Sequence, residues 1–325
     1  MSRPRRRARP LAALDLARVR TVPLARRPSR VVADALGRPV RADLRVRDLV
    51  DGLPDILAAR DFRTVVARIT AALRRKRPVV LGMGAHVIKV GLSPLIVDLI
   101  ARGRLAAVAM NGACVVHDFE LASVGRTSED VGPGLDRGLF GMARETGEFV
   151  NRATRDGIAA GLGLGRALGE AITRARLPFR RHSILAAAAA ADIPATVHVA
   201  IGTDIVHMHP SADGAAIGTG SLRDFRLLAA VVARLRGGVY VNLGSAVVLP
   251  EVFVKALNLA RNVGHPVRSL TTVDMDFNRH YRPAVNVVAR PTAAGGVGLR
   301  LTGHHEIMFP LLWAAVEDAL ARRGR

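Results

Sequence analysis

A short apolar run, Pro78-Val-Val-Leu81, closes on Gly82-Met-Gly84, after which Ser93-Pro94 offers a helix start and Leu105–Met110 forms a second apolar run. Strand, glycine turn, helix, strand is the βαβ unit, and it obliges the two strands to lie parallel with a right-handed crossover. Ser93 is the expected N-cap and Pro94 the first helical residue. The pattern recurs. A helix near His182–Ala191 leads into an Ala195–Ile201 strand, Ser221–Leu235 reads as a helix before a Gly238–Leu243 strand, and Leu249–Arg261 as another helix. Val285–Ala289 reads as a late strand and Glu306–Ala321 as the closing helix; upstream, Asp61–Leu73 has helical spacing that Arg74–Pro78 breaks. Residues 125–180 are glycine-rich and helical, an insertion. The fold class expected is therefore α/β, Rossmann-like, with a mostly parallel sheet and helices on both faces. Residues 45–321 form its single domain.

Hydrophobic residues make up 50% of the 325 residues and charged residues 23%, which suits a globular core and excludes global disorder. One cysteine, Cys114, excludes intrachain disulfides and multi-cysteine metal sites. Aromatics at 4% leave little for base-stacking modules. Apolar stretches such as Ile184–Ala191 fall far short of the roughly 20 residues that cross a bilayer, and the N-terminus lacks the apolar core of a secretory signal. A cytoplasmic protein with no membrane partner is expected.

The net charge of +21 is concentrated at the ends. Residues 1–30 hold ten Arg against one acid, Asp15, and the chain closes on Ala-Arg-Arg-Gly-Arg. Residues 1–44 are thus expected to be a disordered basic tail. Arg outnumbers Lys by 45 to 3, the mark of a GC-rich coding sequence before it is a mark of nucleic-acid binding. Any nucleic-acid contact is expected to be non-specific and confined to the tail.

Ligands of open α/β sheets bind beyond the carboxyl ends of the strands. Gly82-x-Gly84 follows a strand but lacks the third glycine of the dinucleotide fingerprint. Gly161-x-Gly163-x-Gly165 follows no strand and reads as helix packing.

Taken in order, Leu81–Leu92, Ala106–Phe119, Ser183-Ile-Leu, Asp192-Ile-Pro, Ala200-Ile-Gly-Thr-Asp204, Tyr240–Val248 and Glu306–Leu312 resemble the deoxyhypusine synthase family across roughly residues 45–320. The resemblance implies NAD as cofactor and a homotetramer with active sites at subunit interfaces. Family members oxidise spermidine with NAD and pass its aminobutyl group through an enzyme lysine. That equipment is missing. The family's paired glutamates correspond to Val116 and His117, its Trp-Gly-Lys falls on Val287-Val288-Ala289, and its Lys-His-His on Leu249-Pro250-Glu251. Hence the resemblance points to NAD-dependent hydride-transfer or imine-type chemistry on an amine or amino acid other than spermidine. Two alternatives stay open: a genuine deoxyhypusine- or homospermidine-type transferase, and a metal- or ligand-binding relative without dehydrogenation.

Lys89 is the expected nucleophile, because a lysine at a sheet-end turn does what an always-protonated arginine cannot. His117 and Asp118 are the expected acid–base pair. Gly84, Asn111, Gly112, Thr203, Asp204, Gly244 and Asp276 are the expected NAD contacts. His207-Met-His209 and His304-His-Glu306 come nearest to a ligand set, yet no metal-spaced motif is present and no metal is expected. Lys255 reads as structural. Arg282 and Arg290 flank Pro-Ala-Val-Asn, where they either clamp an anion or face solvent.

Overall fold

The computed structural model describes residues 11–322. The chain opens with 3-10 turns at Leu16–Arg18, Leu24–Arg26 and Ala33–Ala35, of which Ala35 is the first buried residue. Residues 1–10, part of the expected disordered tail, lie outside the described residues. From Ala35 onward the backbone is fastened. Asp55 N donates to Ala35 O at 2.8 Å and Arg38 N to Gly52 O at 2.8 Å.

Then come α1 (Val46–Gly52), α2 (Leu57–Arg74), β1 (Val79–Met83), α3 (His86–Lys89), α4 (Ser93–Ala101) and β2 (Ala107–Asn111). A helical insertion follows: α5 (Gly112–Val124), α6 (Val131–Leu135), α7 (Arg144–Ala159), α8 (Leu164–Arg174) and α9 (Ile184–Ala190). The chain returns as β3 (Ala195–His198), α10 (Gly214–Ala233), β4 (Val239–Leu243), α11 (Val248–Asn262) and β5 (Thr271–Asp276). Short turns α12 (Tyr281–Pro283) and α13 (Arg290–Thr292) precede β6 (Val297–Thr302) and α14 (His305–Ala321).

The six strands among the described residues are all parallel, in the order β3-β2-β1-β4-β5-β6. Side chains alternate across the sheet. Val79, Leu81, Val108 and Met110 enter a core with α2, α4, α5, α8 and α14, while Val80, Ala107, Ala109 and Tyr240 enter a second core with α10 and α11. The expected α/β class, with helices on both faces and a helical insertion, is what the chain adopts. Gly165 packs as expected, for a Cβ there would stand 2.0 Å from Ala195 O.

Three local expectations are corrected. Val285–Ala289 is not a strand: Ala284–Ala289 winds as a π-helix, with Pro283 and Pro291 on either side and Val287 buried in the second core. The strands at that side of the sheet are β5 and β6 instead. β5 reads Thr-Thr-Val-Asp-Met-Asp, polar in composition yet buried throughout, and so escapes a search for apolar runs. Finally, Ser93 does not cap α4; Leu92 holds that position and the buried Ser93 hydroxyl has no hydrogen-bond partner among the described residues.

Candidate active site

The strand order reverses between β1 and β4, so the chain leaves these neighbours in opposite directions at their carboxyl ends, the place where open α/β sheets bind ligands. Gly84 N donates to Leu243 O at 3.0 Å and Gly244 N to Met275 O at 2.9 Å. A Cβ on Gly84 would stand 2.1 Å from Gly244 O. Gly244 itself has φ +62°, and a Cβ there would meet His305 Cε1 at 2.7 Å. Only glycine fits at either place. His305, at the start of α14, is 1% exposed and neither ring nitrogen has a hydrogen-bond partner among the described residues. Its Nε2 lies 3.9 Å from Asp276 Oδ1, which accepts from Asn278 N at 3.2 Å.

At the end of β2, Asn111 Oδ1 caps α5 by accepting from Cys114 N at 3.1 Å. A Cβ on Gly112 would stand 2.0 Å from Asp204 Oδ2, so the buried Asp204 carboxylate rests on the first turn of α5, the positive end of the helix dipole. Burial raises the Asp204 pKa and His207 opposes the rise. His207 Nδ1 accepts from Gly202 N at 3.1 Å and Asp204 N at 3.3 Å, which puts the proton of the neutral ring on Nε2, 4.0 Å from Asp204 Oδ2. Thr203 donates back to Ala200 O at 2.7 Å.

Beside Asp204 lies a pocket of about 160 Å³ lined by Lys89, His117, Glu120, Glu129, Thr203 and Asp204, among others. Lys89 is exposed at its mouth. His117 Nδ1 is 2.7 Å from Thr127 Oγ1, whose hydroxyl donates to Glu120 Oε2 at 2.5 Å; Thr146 donates to Glu120 Oε1 at 3.2 Å. Burial, and then the Lys89 charge, push the His117 pKa down to about 4.

Asp118, the other expected acid–base residue, lies away from this pocket. Successive residues of a helix do not face each other, and Asp118 points inward from α5, fully buried. It accepts from Ser183 Oγ at 2.5 Å, Ile184 N at 2.7 Å and Leu185 N at 3.3 Å, holding the N-terminus of α9. Burial lifts its pKa to about 6 against those three bonds. The structure thus brings Lys89, His117, Thr203 and Asp204 into one pocket, and sets Gly84, Gly244 and Asp276 at the carboxyl ends of β1, β4 and β5. Glu129 and Thr127 carry no signal in the sequence; Glu120 does, since it stands close to His117 and, three residues on along α5, shares its face.

The other polar groups have local partners. His209 Nε2 pairs with Gly141 O at 2.9 Å, so His207 and His209 turn to different partners. Lys255 forms an ion pair with Glu251, Arg282 Nε lies 3.4 Å from the same carboxylate, and Arg290 donates to Asn286 Oδ1 at 2.8 Å. Among the described residues no three His, Cys, Asp or Glu groups are gathered to hold a metal ion, and no helix is long and apolar enough to cross a membrane.

No family model matches this chain, and no curated protein does. Solved structures share its fold. AgrE, in a ternary complex with ornithine and NAD+, is similar with a TM-score of 0.53 at 17% identity, over 82% of this chain and 35% of AgrE. A protein of Methanococcus maripaludis S2 assigned to the LOR/SDH type gives 0.52 at 16% identity, over 81% of this chain and 70% of that one. An Entamoeba histolytica protein assigned as a deoxyhypusine synthase gives 0.50 at 12% identity, over 87% and 97%. The chain spans about a third of the length of AgrE. What these likenesses define is the class of fold, the parallel α/β sheet of deoxyhypusine synthase-like proteins.

Proposed function

We propose that this chain is an NAD-dependent enzyme that carries out hydride-transfer or imine-type chemistry on an amine or amino acid, with spermidine not its substrate. The observation that carries the reading is the pocket at the ends of α3 and α5, where Lys89 and His117 share a wall with the carboxylates of Glu120, Glu129 and Asp204. Carboxylates recognise an ammonium group, a lysine forms carbon–nitrogen bonds, and a histidine moves protons. AgrE, solved with ornithine and NAD+, supports the same kind of ligand.

The carboxyl ends of β1 and β4 are where an open α/β sheet takes a nucleotide. Gly84 and Gly244 turn the chain there, the Asp276 carboxylate accepts a ribose hydroxyl, and Asn111, Gly112, Thr203 and Asp204 complete the wall. NAD bound there supplies a hydride acceptor. Lys89 is the nucleophile and His117 the group that handles the proton. On this reading residues 45–321 form one NAD-binding domain, working in the cytoplasm as a homotetramer with sites between subunits. Exposed Leu135, Leu139, Met142, Ile201 and Met208 support such an interface. Calorimetric titration of the full chain with NAD at moderate salt tests the reading: saturable micromolar binding is expected, and no binding at millimolar NAD overturns it.

A further inference from the structure

The hydrogen bonds at His117 run in one direction only. Glu120 accepts on both oxygens, taking the Thr146 hydroxyl on one and the Thr127 hydroxyl on the other. The single hydroxyl proton of Thr127 is therefore spent on Glu120, and the contact between Thr127 Oγ1 and His117 Nδ1 exists only if the ring donates. A neutral imidazole carries one proton. With that proton on Nδ1, Nε2 is left with a bare lone pair, and it makes no hydrogen bond among the described residues.

We propose that Thr127 and Glu120 are positioning residues that lock His117 in its Nδ1–H form, so that Nε2 is a standing acceptor for a proton of the substrate's ammonium group. The ammonium part of this inference rests on the function proposed above; the tautomer does not. In the bound state implied, an N–H of the ammonium donates to Nε2 with no bond broken, while Nδ1–H still points, through Thr127, at the Glu120 carboxylate. The groups facing the ring are Lys89 from α3, Glu120 from its own helix, Glu129 from the loop before α6, and Asp204 from the loop after β3. Lys89 and burial together keep the resting ring neutral, and an acceptor rather than a donor is what an incoming ammonium requires.

Imidazole nitrogen NMR on the full chain, with the His117 signals assigned by their loss in His117→Gln, reads the tautomer directly and needs no NAD. The wild type is expected to hold its proton on Nδ1 from pH 5 to 8. Thr127→Val is expected to release the ring to a mixture of tautomers, and Thr127→Ser to restore the wild-type pattern. A proton on Nε2 in the wild type, or an unchanged tautomer in Thr127→Val, overturns the lock. Ornithine serves as the ammonium probe: it is expected to shift Nε2 and spare Nδ1, and no shift at any concentration removes the ammonium from the proposal. Since the tautomer is read without ligand, its failure and a failure to bind NAD are separate results.

Discussion

At the scale of single residues, helix α5 separates two jobs that lie one position apart. His117 faces the pocket, and its replacement by Asn is expected to cut turnover about 10²- to 10⁴-fold, the range for a lost proton-transfer group, with the melting temperature unchanged. Asp118 faces the core, where Asp118→Ala strands the Ser183 hydroxyl and two amides of α9; chemical denaturation is expected to show a loss of about 1–3 kcal/mol. Lys89→Met, at an exposed position, is expected to abolish turnover while leaving the denaturation midpoint where it was. An unaltered rate in an assay of NAD reduction would remove Lys89 as nucleophile. Lys89 was legible as one of only three lysines, close after a strand end, and His117 as a histidine flanked by acids soon after β2. Asp118 was misjudged because an acid beside a histidine looks the same whether the helix turns it outward or inward. Only the packing of α9 against α5, between residues more than sixty apart, decides that.

Among elements, the strand-to-helix turns carry the site. The Gly84 turn was visible as a glycine pair after an apolar run, but its true constraint is the Gly244 carbonyl, which belongs to a different crossover. Gly84→Ala sets a methyl against backbone that cannot move aside, so a loss of about 1–3 kcal/mol is expected, together with loss of NAD binding by calorimetry. Retained affinity would place the cofactor elsewhere. The apolar runs of β1, β2 and β4 were readable because parallel strands are buried on both faces. β5 was not, since Asp274 is accommodated by a side chain from the next strand: Asn242 Nδ2 donates to its Oδ1 at 2.9 Å. The Val285–Ala289 run misled for the opposite reason, having strand composition but a π-helical path along the second core.

For the molecule as a whole, buried acids govern how stability varies with pH. Burial raises Asp224 to about 7 against bonds from the amides of Val197, Gly165 and Leu164, and raises Asp274 to about 6. A carboxyl whose folded pKa lies above its unfolded value keeps a proton that the unfolded chain has released. Its stabilising contribution is full below about pH 4 and is lost as pH climbs through the folded value. His117 and His198, both lowered to about 4 chiefly by burial, act inversely, contributing fully above about pH 6.5 and losing it as pH falls toward 4. Denaturation of Asp224→Asn against wild type across pH 4–8 isolates one of these groups. The advantage of the wild type is expected to be largest near pH 4 and to shrink steadily toward pH 7; a constant gap would mean that Asp224 titrates normally. The two faces of α5 carry a last consequence, one for descent. Because the Asp118 anchor and the His117 pocket share a helix but no contacts, mutation on one face goes untaxed by the other. A pocket on such a helix can be rebuilt residue by residue while the scaffold beneath it is inherited intact.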